Sequence, residues 1–391
     1  MIRVVLVAEQ LRRRVPGGIG TCVRGLVAGW HELGGAGPRL TLWASRAPGR
    51  GPDPLASLGP VQASALPGPA LVRAWDRGLV RPPRGHDVVL APSLATPPAR
   101  EPLVTCVWDL TWRRLPGAFP SRGRRWHEAA LGRALARSRL LVVPSAATAD
   151  DLLGAGAAPD RVVVVEPGAD HLPPPDEERA GALLDELGVE GPFVLTVSTL
   201  EPRKNLGRLV AAHEQARSRL GGWPLLVVGP AGWGPPSSAR PGVASTGWVE
   251  GAVLAGLYRR AGVVASVPLV EGYGMPVAEA MRAGVPVVSS PVPAAGPAAG
   301  AATLVVDPTD VGALAEALVV AATDEGRRTE LVAAGRARTE AATWRRAGEA
   351  YLEVLASALD RPPTNPDPTA GPRPAGPRPP RPRRRPPAGG G

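Results

Sequence analysis

Short apolar runs alternate with helical patterns along nearly the whole chain, and this alternation limits the folds that the chain can adopt. The runs are rich in Val and Leu and have no alternating polar face, as at residues 4–7 and 140–143. Strands of this kind are buried on both faces, which is typical of parallel sheets covered by helices. The sequence therefore predicts an α/β protein with doubly wound parallel sheets.

The predicted strands fall into two groups. The first group lies within residues 2–165 and the second within 193–308, and a Pro-rich stretch at 171–175 separates them. A chain of 391 residues has the length of two domains. We therefore predict an N-terminal domain, a linker region and a C-terminal domain, over residues 1–172, 173–190 and 191–342 respectively.

The formal net charge of +10 is unevenly distributed. Residues 361–391 contain seven Arg and one Asp, which gives +6, so residues 1–360 carry +4. This C-terminal stretch is mostly Pro, Gly, Ala and Arg, with little to bury, and we predict a disordered tail. A basic tail is compatible with peripheral contact with anionic lipid, but it lacks the aromatic residues that stack on nucleic-acid bases. We expect no nucleic-acid partner.

Cellular location is predicted from the start of the chain and from its cysteines. The chain begins with a strand pattern instead of a charged region followed by an apolar leader, and it has no apolar run long enough to span a membrane. Cys22 and Cys106 stand in apolar contexts, which favours buried thiols over a disulfide or a metal site. We predict a cytoplasmic protein, with the inner face of the membrane as the place of any peripheral contact.

A glycine-rich stretch follows the first predicted strand and precedes an amphipathic helix. Its residues are Pro16, Gly17, Gly18, Ile19 and Gly20. A strand, a glycine loop and a helix form the unit with which doubly wound sheets approach phosphates. The spacing differs from Gly-x-Gly-x-x-Gly, so a nicotinamide dinucleotide is not favoured. A tight turn without a ligand is the alternative.

A pair of cations follows a strand in the second half of the chain. Arg203 and Lys204 stand just before a predicted helix, and Lys204 is the only lysine among 45 basic residues. Asn205, next to them, is a favourable N-cap residue. Two cations beside the free N–H groups of a helix start form a strong diphosphate site. The alternative is a solvated charge pair at a helix start.

Two carboxylates stand eight positions apart in a later strand–loop–helix unit. Glu271 lies in a glycine-rich loop and Glu279 in the helix that Pro276 is expected to begin and Gly284 to end. Carboxylates accept hydrogen bonds from hydroxyls, and helix N-termini attract anions. A sugar nucleotide, with phosphates between two polyols, requires both features. The alternative is a surface loop with one helix-capping glutamate.

These two stretches, 199–205 and 271–279, resemble glycosyltransferases of family 4, and the resemblance extends from Gly17 to the helix at Trp344. The family has the GT-B fold, in which two Rossmann-like domains face a central cleft. The resemblance implies that the helix at 343–360 crosses back to the N-terminal domain. It also implies retaining transfer of a hexose, with mannose slightly favoured, from a GDP- or UDP-sugar to a glycan, lipid or small-molecule acceptor. No obligatory cofactor or bound metal is implied.

The resemblance assigns a role to each matching residue. Arg203 and Lys204 hold the donor diphosphate and stabilise its charge as it leaves. Glu271 contacts the donor sugar near the reacting carbon, and Glu279 accepts hydrogen bonds from the ribose hydroxyls. The remaining donor contacts are implied for the phosphate-approaching Gly17 and Gly18, the base-contacting Trp248 and Val249, and the backbone groups of Gly272, Tyr273, Gly274 and Met275.

The chain departs from the family pattern at two positions. A His-Asp pair usually follows the strand at 103–107, but here the pair is Trp108-Asp109, and Pro297 stands where a Glu is common. We keep Asp109 among the predicted catalytic residues, with Glu271, Arg203 and Lys204. An indole has only an N–H donor and exchanges no proton at neutral pH. A catalytically impaired sugar-nucleotide-binding relative is therefore the alternative to an active enzyme.

Overall fold

The structure is a computed structural model that describes residues 1–361 except 14, 48, 50, 235–239, 297 and 298, with only the backbone described at 299 and 300. The departure at Pro297 and the predicted disordered tail, apart from Arg361, lie outside these residues. Membrane contact through the tail stays a prediction for the same reason. Within the described ranges, every helix is too short or too polar to cross a bilayer.

The described strands form two sheets. The first contains β1 (Arg3–Val7), β2 (Arg39–Ala44), β3 (Val61–Ala63), β4 (Val88–Ala91), β5 (Leu103–Cys106), β6 (Leu140–Val143) and β7 (Val162–Val164). The second contains β8 (Val194–Val197), β9 (Leu225–Val228), β10 (Val243–Gly247), β11 (Val263–Ser266), β12 (Val287–Ser289) and β13 (Leu304–Val305).

Helices connect the strands. They are α1 (Gly17–Glu32), α2 (Gly68–Asp76), α3 (Thr111–Arg114), α4 (Ser121–Arg137), α5 (Ala146–Gly154), α6 (Glu177–Glu186), α7 (Leu206–Ala216), α8 (Gly251–Arg260), α9 (Met275–Ala283), α10 (Ala299–Ala302), α11 (Val311–Thr323), α12 (Glu325–Glu340) and α13 (Trp344–Asp360).

Both sheets are parallel throughout, and both are doubly wound. Their strand orders are β3-β2-β1-β4-β5-β6-β7 and β10-β9-β8-β11-β12-β13. The order reverses between β1 and β4 and between β8 and β11, and ligands bind at such switch points, outside the carboxyl ends of the strands. Central strands such as β4 and β6 are buried along their whole length, which explains their continuous apolar sequences. The predicted α/β class with two Rossmann-like sheets is confirmed.

The last helix returns to the first domain, as predicted. Helix α13 packs on α1, where glycines allow close approach: a Cβ atom on Gly29 would lie 2.0 Å from the carbonyl oxygen of Trp344. The Trp30 indole donates to the carbonyl of Gly348 over 3.0 Å. The hydroxyl of Tyr351 lies 3.3 Å from the sulfur of Cys106, which is buried as expected.

The predicted linker at 173–190 contains a helix, which corrects that prediction. Helix α6 is capped by the Asp176 carboxylate, which accepts a hydrogen bond from the backbone N–H of Arg179 over 3.0 Å. Ala180 and Leu184 are buried in the core of the second domain. The prolines before Asp176 suggested a linker, but the apolar spacing after it is that of an amphipathic helix.

Candidate active site

The cation pair and the first carboxylate lie on loops that leave neighbouring strands. Strands β8 and β11 are adjacent and parallel, with Val194 opposite Val263. Their carboxyl ends therefore lie at the same edge of the sheet. The two loops are bonded to each other, because the N–H of Leu269 donates to the carbonyl of Arg203 over 2.8 Å. The fold thus brings together two motifs that are far apart in sequence.

The charged side chains of these loops are in direct contact. Lys204 Nζ lies 2.5 Å from Glu271 Oε2, and Arg203 Nη1 donates to both Glu271 oxygens over 3.2 and 3.1 Å. Arg203 Nε also donates to Glu201 Oε2 over 2.8 Å. Each of the four side chains is at most 15% exposed. The sequence predicts no role for Glu201, although it stands two residues before Arg203.

The contacts favour the charged forms of Glu271 and Arg203. Burial opposes ionisation of Glu271, but the charges of Lys204 and Arg203 outweigh it and lower the pKa of this carboxyl. Burial also disfavours the Arg203 cation, and Glu271, Glu201 and Asp109 reverse the effect and raise its pKa. Arg203 is therefore a cation at neutral pH.

Asn205 joins the cation turn to the neighbouring loops, which differs from its predicted role. It occupies the N-cap position of α7, but its side chain accepts no bond from a backbone N–H of the helix, and its Oδ1 accepts one from the Arg208 guanidinium over 2.9 Å. Its amide instead donates to the carbonyls of Val267 and Pro308 over 3.1 and 2.6 Å. Among the described non-glycine residues it alone has a left-handed backbone, with φ of 61°, a conformation that asparagine tolerates. This geometry directs the NH2 group to the neighbouring loops instead of the backbone of the helix.

The second carboxylate lies in helix α9, which begins at Met275 with Pro276 second and ends before Gly284. Glu279 is 8% exposed and is held by two side chains. The hydroxyl of Tyr258 donates to Glu279 Oε2 over 2.7 Å, and His171 Nε2 lies 3.0 Å from Oε1. Burial and the charge of Glu279 raise the pKa of Tyr258, so this hydroxyl stays protonated. Lone pairs remain on both carboxylate oxygens for ligand hydroxyls.

The loop between the two glutamates packs directly on the N-terminal domain. A Cβ atom on Gly272 would lie 1.9 Å from the carbonyl oxygen of Trp108. The carbonyl of Gly272 accepts hydrogen bonds from Ser145 Oγ over 2.7 Å and from Thr148 Oγ1 over 3.2 Å. Ser145 also caps helix α5. The sequence does not predict these bonds, because Ser145 has the pattern of an ordinary N-cap residue.

The Trp108-Asp109 pair faces this contact. The indole of Trp108 donates to the carbonyl of Pro92 over 2.7 Å. Asp109 Oδ1 accepts bonds from the N–H and the hydroxyl of Thr111 over 3.0 and 2.7 Å. The negative charge of Asp109 also helps to raise the pKa of Arg203. Its carboxylate therefore supports a turn at the site, and its catalytic assignment stays a prediction.

The remaining predicted donor residues differ in exposure. Trp248 is 71% exposed in the turn after β10, whereas Val249 packs against the core of the second domain. Tyr273 is buried and its hydroxyl bonds with Glu166, so burial and this carboxylate raise its pKa. Gly274 has φ of 104°, and Met275 packs against the cores of both domains. The ligand contacts predicted for Tyr273, Gly274 and Met275 involve their backbone groups.

The glycines of the N-terminal domain lie in a helix, which corrects the predicted loop. Helix α1 begins at Gly17, with φ of 61°, and Gly18 lies in its first turn. Pro16 precedes them in a helical conformation, which proline readily adopts at a helix start. A Cβ atom at Gly17 or Gly18 would meet no atom within 4 Å. Both positions border open space after β1.

Comparison with known proteins gives the same assignment for both domains. Residues 16–171 match the family model described as Glycosyltransferase Family 4, and residues 191–324 match the model described as Glycosyl transferases group 1. The O-antigen chain mannosyltransferase B of Escherichia coli is 29% identical over 269 residues, which are 65% of this chain and 70% of that protein. The D-inositol 3-phosphate glycosyltransferase of Xylanimonas cellulosilytica is 33% identical over 257 residues, 59% of either chain.

Solved structures share the arrangement of the two sheets. Anabaena Alr3699/HepE in complex with UDP-glucose superposes with a TM-score of 0.68 at 18% identity, covering 91% of this chain and 100% of that one. WaaG, a glycosyltransferase involved in lipopolysaccharide biosynthesis, has a TM-score of 0.64 at 16% identity and covers 90% of this chain and 99% of that one. At these identities the similarity establishes the fold. The chain thus belongs to glycosyltransferase family 4 and is a transferase with the GT-B fold.

Proposed function

We propose that this enzyme transfers a hexose, with mannose favoured, from a GDP- or UDP-sugar to a glycan, lipid-linked or small-molecule acceptor, with retention of anomeric configuration. The observation that carries the proposal is the convergence of Arg203, Lys204 and Glu271 at the carboxyl edge of β8 and β11. Two cations and a carboxylate in one place match the diphosphate and the hydroxyls of such a donor.

The cations act on the diphosphate. Arg203 has a planar fork that bonds two oxygens, and Lys204 supplies a compact charge. In the structure both contact Glu271, so a diphosphate would replace a carboxylate as their partner. The same cations would then stabilise the charge that develops when the sugar–phosphate bond breaks. The departing phosphate oxygen can accept the proton of the attacking acceptor hydroxyl.

The carboxylates act on the two polyols of the donor. Glu271, in the loop before α9, would bond the sugar hydroxyls near the reacting carbon once the cations engage the phosphates. Glu279, four residues after Met275, would accept bonds from the ribose. Trp248 and Val249 in the turn after β10 would contact the base. These assignments follow the order of groups in a nucleotide sugar.

The relatives support a nucleotide-sugar donor without deciding its base. Anabaena Alr3699/HepE was solved with UDP and with UDP-glucose, and the Escherichia coli relative is named as a mannosyltransferase. An impaired relative that only binds the donor is not favoured, because the matched proteins are named as transferases. The basic composition of residues 361–391 leaves peripheral membrane contact as part of the proposal.

A panel of nucleotide sugars tests the proposal. The purified chain is heated with GDP-mannose, UDP-glucose, ADP-glucose or CMP-sialate, and its melting temperature is compared with that of the protein alone. A donor at a concentration of 100 Kd adds about 2.7 kcal/mol of stability, which is a measurable shift. A shift with the GDP- or UDP-sugar, followed by transfer to an acceptor extract, supports the proposal. If the melting temperature with each of the four nucleotide sugars equals that of the protein alone, the proposal is contradicted.

A further inference from the structure

Two segments cross between the domains, and they are bonded to each other. The first joins β7 to α6, and the second joins α12 to α13. The N–H of Ala169 donates to the carbonyl of Ala342 over 2.8 Å, and the N–H of Trp344 donates to Asp170 Oδ1 over 2.8 Å. A Cβ atom on Gly168 would lie 2.3 Å from the nitrogen of Trp344. Any relative movement of the domains acts on this junction.

His171 lies between this junction and helix α9, which carries Glu279. Its ring is 6.4 Å from that of Trp344, edge to face, and its Nε2 is 3.0 Å from Glu279 Oε1. The side chain is 10% exposed. In the sequence this residue begins the Pro-rich stretch at 171–175 that separates the two groups of strands, and no role is predicted for it.

The contact shows which side of the ring acts on Glu279. His171 Nε2 lies 3.0 Å from Glu279 Oε1, whereas Nδ1 is buried and has no partner among the described groups. A hydrogen on Nε2 makes this contact attractive, because a lone pair there would face a negatively charged oxygen.

We propose that His171 is a positioning residue, which holds the Glu279 carboxylate in the orientation that binds the ribose hydroxyls and links it to the domain junction. This inference rests on the proposed function. Tyr258 holds one carboxylate oxygen and His171 the other, so the carboxylate plane is fixed before a ligand arrives. A carboxylate with a fixed rotamer loses less conformational entropy on binding. The lone pairs that Tyr258 and His171 do not use therefore have fixed positions for the ribose hydroxyls.

The test compares ribonucleotides with deoxyribonucleotides. Binding of UDP, GDP, dUDP and dGDP is measured by titration calorimetry in wild type, His171→Phe, His171→Asn and His171→Gln. Loss of the Nε2 donor in the Phe and Asn variants should weaken binding of the preferred ribonucleotide about tenfold. Binding of its 2′-deoxy counterpart should change less than threefold, because it lacks a hydroxyl that Glu279 would bond. His171→Gln places an amide N–H near the same position and should retain the wild-type preference.

Controls separate positioning from folding. His213→Gln alters another buried histidine of the second domain, bonded to the carbonyl of Trp223, and should leave the ribose preference unchanged. Equal losses for ribo- and deoxyribonucleotides in both His171→Phe and His171→Asn would overturn the inference, because they indicate a general structural effect. Wild-type affinities in both variants would overturn it as well.

Two outcomes separate failure of the proposed function from failure of the role of His171. If wild type binds neither UDP nor GDP, the proposed function and the inference both fail. If wild type prefers the ribonucleotide and Glu279→Ala abolishes that preference while His171→Phe and His171→Asn keep it, only the role of His171 is wrong.

Discussion

The ammonium group of Lys204 lies 2.5 Å from a carboxylate oxygen of Glu271, a residue 67 positions further along the chain. Arg203 bonds the same carboxylate. The contact links the loops after β8 and β11, and it brings the two motifs of the predicted donor site into one cluster. The stability of the site and its ligand preference are therefore expected to depend on the same charges.

Removal of the Glu271 charge should destabilise the protein in a pH-dependent manner. Glu271→Gln leaves two mostly buried cations with fewer partners, and we expect a loss of about 2 kcal/mol in the free energy of unfolding at pH 7. The pKa of Glu271 is lowered in the folded state. Its contribution is therefore complete above the unfolded value, about 4.3, and declines as pH falls further.

Urea unfolding at pH 7 and pH 3.5 measures this effect, with the difference between variant and wild type shrinking at the lower pH. Glu316→Gln is the control, because Glu316 forms an exposed pair with Arg219 and should change stability little. A difference that is absent at pH 7, or larger at pH 3.5, would contradict the expectation.

Asn205 should matter for donor affinity although it is not predicted to touch the donor. Asn205→Gly keeps the left-handed backbone but removes the bonds to Val267 and Pro308. Asn205→Ala removes the bonds and adds about 1 kcal/mol of backbone strain. Both variants should bind the nucleoside diphosphate at least fivefold more weakly, and Ala should be the less stable of the two in thermal melts. Affinity equal to wild type in Asn205→Gly would show that the amide does not hold the cation turn.

Gly272→Ala should impair transfer by disturbing the contact between the domains. The new methyl group would overlap the carbonyl of Trp108, which is backbone and cannot swing aside. We expect a loss of about 1–3 kcal/mol in stability and at least a tenfold lower transfer rate. Gly132→Ala is the matched control, because a Cβ atom there meets nothing within 4 Å and lies in the helix α4. Unchanged rates in Gly272→Ala would mean that this contact is not part of the active arrangement.

Trp108 should not limit turnover, because its indole N–H is bonded to Pro92. Trp108→Phe loses that bond and should cost about 1 kcal/mol of stability while keeping the initial transfer rate within a few-fold of wild type. Trp108→His restores the residue that is usual in the family and should also transfer at a comparable rate. A His variant more than ten times faster than wild type would indicate that the natural chain is catalytically impaired.

The features predictable from the sequence are those encoded by local patterns. Apolar runs such as 140–143 coincide with strands, and the helix predicted from Pro276 to Gly284 is present as α9. The motifs around Lys204 and Glu271 indicated a common site because parallel strands end at the same edge of a sheet.

The features that escaped prediction depend on contacts between distant residues. The Asn205 side chain reaches the carbonyl of Pro308, 103 positions away, instead of capping its own helix. The bond between Ser145 and Gly272 spans the two domains, and neither residue has a local pattern that indicates it. The contact between His171 and Glu279 joins residues 108 positions apart, and the prolines that follow His171 give no local indication of it.

The most direct test of the donor site is calorimetric binding of UDP and GDP to wild type, Lys204→Ala and Arg203→Ala. Arg259→Ala serves as the control, because Arg259 pairs with Glu177 on the surface of the second domain. We predict that the better wild-type ligand loses at least 100-fold in affinity in Lys204→Ala and Arg203→Ala, since each removes a charge-assisted bond to the diphosphate. The Arg259 variant should bind as wild type does. Wild-type affinity in Lys204→Ala would contradict the assignment of this cluster as the donor diphosphate site.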